Sequence, residues 1–337
     1  MDFLRVREIS KKDDRGFEIQ GVSFTQEPRK NIAIAGETGS GKTTLLRMIA
    51  GLAQPDSGTI HFKEQPVIGP ADKLIPGQKG IVYLSQHFEL PNFLRVEQVL
   101  EYANEWEEHD ARALFRICRI EHLFKRRTDQ LSGGERQRIA IARLLIMAPE
   151  LFLLDEPFSN TDPANKQLLK TVIADISREM DISFIMVSHE PNDTLPWADE
   201  FFVMKEGRIV ERGSAKSIYD SPRLAYTAGL FGRYNVVPHQ VAQTETSSQY
   251  DTIAIIRPEH VIMTSDTSAL TGTIREVAYF GHYFECVIEI PGIETETGLL
   301  TLVSRTVHYP GENGTAINVY LNPAQIRLVT PDRVPNA

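Results

Sequence analysis

Gly36, Gly41, Lys42 and Thr43 in the run Gly36-Glu37-Thr38-Gly39-Ser40-Gly41-Lys42-Thr43 stand at the G-x-x-x-x-G-K-[ST] spacing of a phosphate loop, with Gly39 a third glycine inside it. Backbone N–H groups wrap a polyphosphate only where glycines permit unusual dihedrals and keep side chains out of the way. Lys42 supplies a point charge for the β- and γ-phosphates, and the Thr43 hydroxyl supplies a ligand for Mg²⁺, with Thr44 beside it. The helix that follows aims its N-terminal dipole at the same anion.

The elements that must hold this loop are legible around it. Asn31 to Ala35 reads as a buried strand entering the loop, and Lys42 to Ala50 has helical spacing with Gly51 placed to end it. Three further apolar runs, Ile81 to Leu84, Leu151 to Leu154 and Ser183 to Val187, are separated by helical stretches. That pattern predicts a parallel sheet covered on both faces. Each run ends in polar residues: Ser85-Gln86, Asp155-Glu156 and Ser188-His189. Open α/β sheets bind ligands past the C-terminal ends of their strands, so Gln86, Asp155, Glu156 and His189 should meet the phosphate loop at one edge.

Residues 2 to 26 alternate apolar and polar side chains, and Gly58 to Lys63 does the same, which predicts an antiparallel β subdomain beside the parallel sheet. Between Gln86 and Leu131 the spacing turns helical, with Leu94, Val96, Val99, Leu100 and Ala103 on one apolar face and Ala113, Leu114, Ile117 and Ile120 on another. This reads as a helical insert. Leu131-Ser132-Gly133-Gly134-Glu135 then opens a helix. Ser132 and Glu135 make a capping box, but capping does not explain two glycines at the helix mouth. They bare the N–H groups at the positive helix end, a second anion site in a chain that already has a phosphate loop.

With these motifs in order, residues 2 to 230 strongly resemble the ATP-binding subunits of ABC transporters, an α/β fold of the P-loop NTPase type. The resemblance rests on the phosphate loop, the glutamine loop at Gln86, the LSGGE signature, the Leu151 to Glu156 run, the D-loop Ser159-Asn160-Thr161-Asp162 and a switch histidine, His189. It implies a head-to-tail homodimer in which each ATP lies between one subunit's phosphate loop and the other's Ser132, Gly133, Gly134 and Glu135. It also implies that Asp155, Thr43 and Gln86 organise Mg²⁺, that Glu156 polarises the attacking water, and that His189 contacts the γ-phosphate. Two positions depart from the family pattern. Lys11-Lys12-Asp13-Asp14 stands where an adenine-stacking aromatic is usual, which leaves either Phe17 as a substitute or weak stacking, and Thr161 replaces an apolar D-loop residue.

The segment after Gly213 resembles the exit segment of import ATPases, and residues 252 to 330 predict short strands with turns at Pro291-Gly292, Pro310-Gly311 and Asn313-Gly314. Ile256-Arg257-Pro258-Glu259-His260 resembles the opening of the small OB-like TOBE domain found on importers of ions, polyamines and sugars. The expected division is an ATPase domain over 1–235 and an all-β OB-like domain over 236–337. The second part holds 11 acidic against 5 basic residues, and the whole chain carries a net charge of −9, which argues against nucleic acid as a partner.

At 337 residues with 42% apolar and 24% charged side chains, the chain has ordinary globular composition. Two distant cysteines, Cys118 and Cys286, match no metal spacing and suit a reducing compartment. The N-terminus shows no signal peptide and no apolar run is long enough to span a bilayer, so the expected location is the cytoplasmic face of the cell membrane, held there by permease subunits. The leading expectation is the ATPase of an import complex served by an external substrate-binding protein, with polyamine or ferric iron favoured as substrate. An exporter ATPase, a nucleic-acid-directed ABC protein and a regulatory ATP sensor are the alternatives. Leu90-Pro91-Asn92-Phe93-Leu94 is the expected permease-docking segment.

Overall fold

A computed structural model describes residues 3–12, 16, 18–104, 106–159, 161–242, 252–266, 269–295 and 298–332. By its contacts the chain divides into two units, Met1–Ala215 and Lys216–Ala337.

In the first unit the four apolar runs form β3 (Asn31–Ala35), β6 (Ile81–Leu84), β7 (Leu151–Asp155) and β8 (Ser183–Val187), all mutually parallel. Two more strands extend the sheet to the order β10-β9-β3-β8-β7-β6. β9 (Glu200–Lys205) runs parallel to β3, and β10 (Arg208–Gly213) closes the edge antiparallel to β9. The sequence reading passed over β9, although Phe201-Phe202-Val203-Met204 is a continuous apolar run like the others and is fully buried.

Successive strand residues point to opposite faces, and this sorts the core. Phe152, Leu154, Phe184 and Met186 face the helical side, packing with α4 (Gly133–Leu145), α5 (Pro163–Glu179) and the insert helices α2 (Val96–Glu101) and α3 (Glu108–Ile117). Leu151, Leu153, Ile185 and Phe202 face the other way, against α1 (Lys42–Ile49) and the antiparallel sheet of β1 (Leu4–Lys12), β2 (Glu18–Gln26), β4 (Ser57–Phe62) and β5 (Gln65–Pro66). Gly51 ends α1 as its type predicts, in the left-handed region at φ 72°. The insert face on α3 is turned from the expected one. Ala111, Leu114, Phe115 and Cys118 are buried while Ala113 and Ile117 are only partly so, because the large Phe115 side chain takes the core position.

The second unit opens with α6 (Ala215–Asp220) and α7 (Ala225–Leu230), followed by β11 (Asn235–Val237) and α8 (His239–Ala242). β11 pairs with β12 (Ile253–Ile256), which pairs with β18 (Arg327–Val329). A five-stranded antiparallel sheet of order β13-β17-β14-β15-β16 completes it: β13 (Val261–Thr264), β14 (Leu270–Tyr279), β15 (Phe284–Thr295), β16 (Gly298–Thr306) and β17 (Ala316–Leu321). Residues 216 to 235, assigned with the ATPase domain on sequence, thus make their contacts in this unit. Arg257 shows why. Its guanidinium donates to the carbonyls of Ala228, Gly232 and Arg233 at 2.8, 2.9 and 3.3 Å and lies 4.5 Å from the Tyr219 ring.

Pro291-Gly292 is not a chain reversal. β15 continues through it to Thr295, with a bulge between Ile290 and Glu294 that uses Gly292 at φ 78°. Asn313-Gly314 does form the turn before β17. The adenine-side residues Asp13, Asp14 and Phe17, and Asn160 of the D-loop, lie outside the described residues.

Candidate functional site

The phosphate loop joins β3 to α1, with Gly39 and Gly41 in the left-handed region at φ 86° and 100°. Gly36 is required for space as well, since a Cβ there would collide with the Met204 carbonyl and the Ser40 hydroxyl. The Lys42 ammonium is folded into the loop, donating to the carbonyls of Gly36 and Glu37 at 2.8 and 2.7 Å. Burial pushes the Lys42 amine below its ordinary pKa, and Glu156, Asp155 and Glu37 act in the opposite sense.

Asp155, at the C-terminal end of β7, is held from two sides. Thr43 Oγ1 donates to Oδ1 at 3.0 Å and the Tyr83 hydroxyl donates to Oδ2 at 2.7 Å. Burial raises the Asp155 pKa, and the bonds from Tyr83 and Thr43 act against that rise. The Thr43 and Asp155 oxygens form a hard-donor pair at the mouth of the phosphate loop, a donor set suited to Mg²⁺ beside phosphate.

Glu156 follows directly, in the left-handed region at φ 49°, a conformation that costs a non-glycine residue on the order of 1 kcal/mol. Its N–H is held by the Val187 carbonyl at 3.0 Å. Gln86 Nε2 and His189 Nδ1 each approach Glu156 Oε2 at 3.2 Å. Gln86 also reaches the Ser159 hydroxyl at 3.5 Å, so its amide bonds here rather than to Thr43 or Asp155. The sheet therefore brings the expected polar residues of β6, β7 and β8 together in two neighbouring groups. A carboxylate on a rigid strand end, beside an imidazole and next to a phosphate loop, can accept a proton from a water attacking a phosphoryl group.

The signature residues cap α4. Ser132 Oγ accepts from Glu135 N at 3.3 Å and Glu135 Oε2 accepts from Ser132 N at 2.9 Å, the reciprocal capping box that the sequence suggests. The backbone N–H of Ser132, largest among the causes, holds the Glu135 carboxyl below its ordinary pKa. The two glycines differ. A Cβ on Gly134 would meet the Asn165 side chain at 2.6 Å, whereas one on Gly133 would meet nothing. Asp162 caps α5, accepting from Ala164 N and Asn165 N at 3.1 Å each and from Asn165 Nδ2 at 2.6 Å. Asn165 thereby joins the D-loop cap to the signature glycine. Thr161 Oγ1 reaches Gln137 of α4 at 3.4 Å, and Gln137 also donates to the Pro157 carbonyl.

Tyr83, Gln137 and Asn165 were not singled out by the sequence. Tyr83 was absorbed into an apolar strand run, and Asn165 and Gln137 look like ordinary helix polar residues. The one available signal was a tyrosine among the aliphatic residues of β6.

Residues 19–159 match the ABC transporter family model and residues 254–329 match the TOBE domain model. The chain is 31% identical to the Fe(3+) ions import ATP-binding protein FbpC 2 of Rhodococcus jostii, over 88% of each chain. It is 29% identical to the sulfate/thiosulfate import ATP-binding protein CysA of Synechocystis, over 82% of this chain and 81% of the relative. Among solved structures it is similar to cbiO1 from Clostridium perfringens, part of the ABC transporter complex cbiONQ, with a TM-score of 0.54 and 27% identity over 64% of this chain and 90% of that one. The chain belongs to the ABC transporter ATP-binding family, as an ATP-hydrolysing member of the importer type that carries a C-terminal TOBE domain.

Proposed function

We propose that this protein powers uptake of a small ion through separate permease subunits, hydrolysing ATP between two copies of itself arranged head to tail. The observation that carries the reading is the convergence on Glu156 of Gln86 and His189, with Lys42, Thr43 and Asp155 alongside. Lys42 leaves its loop carbonyls for the β- and γ-phosphates, and the loop N–H groups hold the same anion. Thr43 and Asp155 are the residues that would hold Mg²⁺, which neutralises phosphate charge when bound. Gln86 is the further candidate for that ion, although its amide here bonds to Glu156. Glu156 takes the proton of the attacking water, and His189 holds the carboxylate and the γ-phosphate in register.

The open space at Gly133 supports the dimer, since a Cβ there would meet no described atom within 4 Å, which leaves room for an anion at that helix mouth. Ser132, Gly133, Gly134 and Glu135 are then completed by the partner's nucleotide. Phe93, 68% exposed and left-handed at φ 65°, supports docking of a permease helix at 90–94. Among the described residues no helix is long and apolar enough to cross a membrane, and in this reading the chain meets the membrane through that permease contact. Ferric iron is the substrate favoured by the Fe(3+) import relatives, and sulfate or thiosulfate is the second reading from the CysA relatives. Uptake of radiolabelled Fe(3+) and sulfate into cells with and without the chain tests this, and unchanged uptake of both would discard an ion-import role.

A further inference from the structure

Tyr83 and Leu153 are register partners on the parallel strands β6 and β7, so their side chains share a face. Asp155 is two residues beyond Leu153 and lies on that same face. The length of a tyrosine ring spans this offset, and its hydroxyl ends 2.7 Å from Asp155 Oδ2. Thr43, on the helix covering this face, meets the other oxygen at 3.0 Å. The carboxylate is thus gripped at both oxygens by donors on different elements. An aliphatic side chain at position 83 would leave Oδ2 without this bond, and the carboxylate free to turn about its χ2.

We propose that Tyr83 is a positioning residue that fixes the rotation of the Asp155 carboxylate, so that Oδ1 faces Thr43 and the Mg²⁺ position. The inference rests on the assignment of Asp155 and Thr43 to that ion. Outer partners that orient a ligand typically change metal affinity by 10–100-fold.

The test uses the full chain and a non-hydrolysable ATP analogue, with affinity measured by titration calorimetry in Mg²⁺ and again in EDTA. Tyr83→Phe keeps the ring that packs against the core and removes only the hydroxyl. The expected result is a loss of about tenfold in the affinity gained from Mg²⁺, with the EDTA affinity unchanged. A gain from Mg²⁺ equal to that of the native chain overturns the proposal. Equal losses in Mg²⁺ and EDTA also overturn it, because they indicate a general disturbance of the loop. Asp155→Asn is measured in parallel. If it abolishes the Mg²⁺ gain while Tyr83→Phe does not, the metal assignment stands and the role of Tyr83 falls. If neither variant changes the gain, both fall.

Discussion

His189 Nδ1 lies 3.2 Å from Glu156 Oε2, the same carboxylate oxygen that Gln86 approaches from the neighbouring strand. Glu156 is therefore contacted by one residue just beyond each of the two strands that flank β7. Removing the basic oxygen should act on chemistry alone. Glu156→Gln is expected to bind ATP normally and to lower turnover on the order of a hundredfold or more, the scale of a lost general base. It should also accumulate an ATP-bound dimer, visible by size exclusion. His189→Ala should lower turnover less if imidazole only aligns the carboxylate. Near-native hydrolysis in Glu156→Gln together with loss in His189→Ala would move the base to the histidine.

The signature glycines separate structural from intersubunit roles. Gly134 is packed against Asn165, so Gly134→Ala should force that side chain away from the Asp162 cap and lower the unfolding temperature. Gly133 faces open space within its own chain. Gly133→Ala should leave stability unchanged or raise it by about 0.5 kcal/mol through reduced backbone freedom, yet weaken ATP-driven dimer closure. Thermal unfolding and light scattering with ATP read the two effects. The head-to-tail arrangement makes a further demand: a mixture of Ser132→Arg and Lys42→Ala chains should regain closure at one composite site that neither variant forms alone. Closure absent from the mixture would count against that arrangement.

How much of this was legible in sequence follows from what each residue does locally. The phosphate loop, Gln86, Asp155, Glu156 and His189 stand out because each ends a buried strand with a polar group, and a parallel sheet can deliver such groups only to one edge. Tyr83, Gln137 and Asn165 stay hidden because their partners are set by register and helix packing. Their own spacing carries no trace of Asp155, Thr161 or Gly134. The bulge at Gly292 escaped for a related reason: Pro-Gly signals a turn, but here strand pairing with β16 resumes at Glu294, so the dipeptide bends the strand without reversing it.

Thr161 offers a test of the D-loop's coupling to its own signature helix. Its hydroxyl joins Gln137 and the Ser159 carbonyl at 3.4 and 3.2 Å. Thr161→Val keeps the shape and removes the hydroxyl. We expect the ATP affinity of the free chain to hold and turnover to fall by about two- to tenfold, the scale of one hydrogen bond of ~0.5–1.5 kcal/mol. A loss of binding instead of turnover would place the Thr161 hydroxyl in the nucleotide pocket.

Arg257 is 7% exposed, and burial, the largest influence on its guanidinium, lowers its pKa. The backbone carbonyls of Ala228 in α7 and of Gly232 and Arg233 just after it accept from it, while Glu259, two residues on, accepts from the Tyr219 hydroxyl at 2.6 Å. The Ile256 to His260 motif is thus a clasp on residues 219 to 233. Arg257→Ala should destabilise this unit by on the order of 3 kcal/mol, since buried carbonyls lose a charged donor. Hydrogen exchange confined to residues 216 to 332 would show it, and unchanged protection there would remove the clasp role.

The same contacts dictate where the chain can be cut. Ala225 and Ala228 bury themselves against Ile255 and Val329, and the backbone of Ala225 donates to the Thr330 carbonyl at 2.9 Å. A fragment ending at residue 235 keeps α7 but loses everything that covers it, whereas one ending at residue 215 leaves that helix out. Both retain every nucleotide motif, the last being His189. The 1–215 fragment is therefore expected to bind ATP as a well-dispersed monomer at rest, and the 1–235 fragment to aggregate through its uncovered apolar helix. If residues 216–337 also hold two ATPase units together without nucleotide, hydrolysis by the shorter fragment should depend more steeply on protein concentration than hydrolysis by the full chain. Light scattering and a dilution series of ATPase rates decide both points. Parallel concentration dependences would leave the second unit no part in bringing the subunits together.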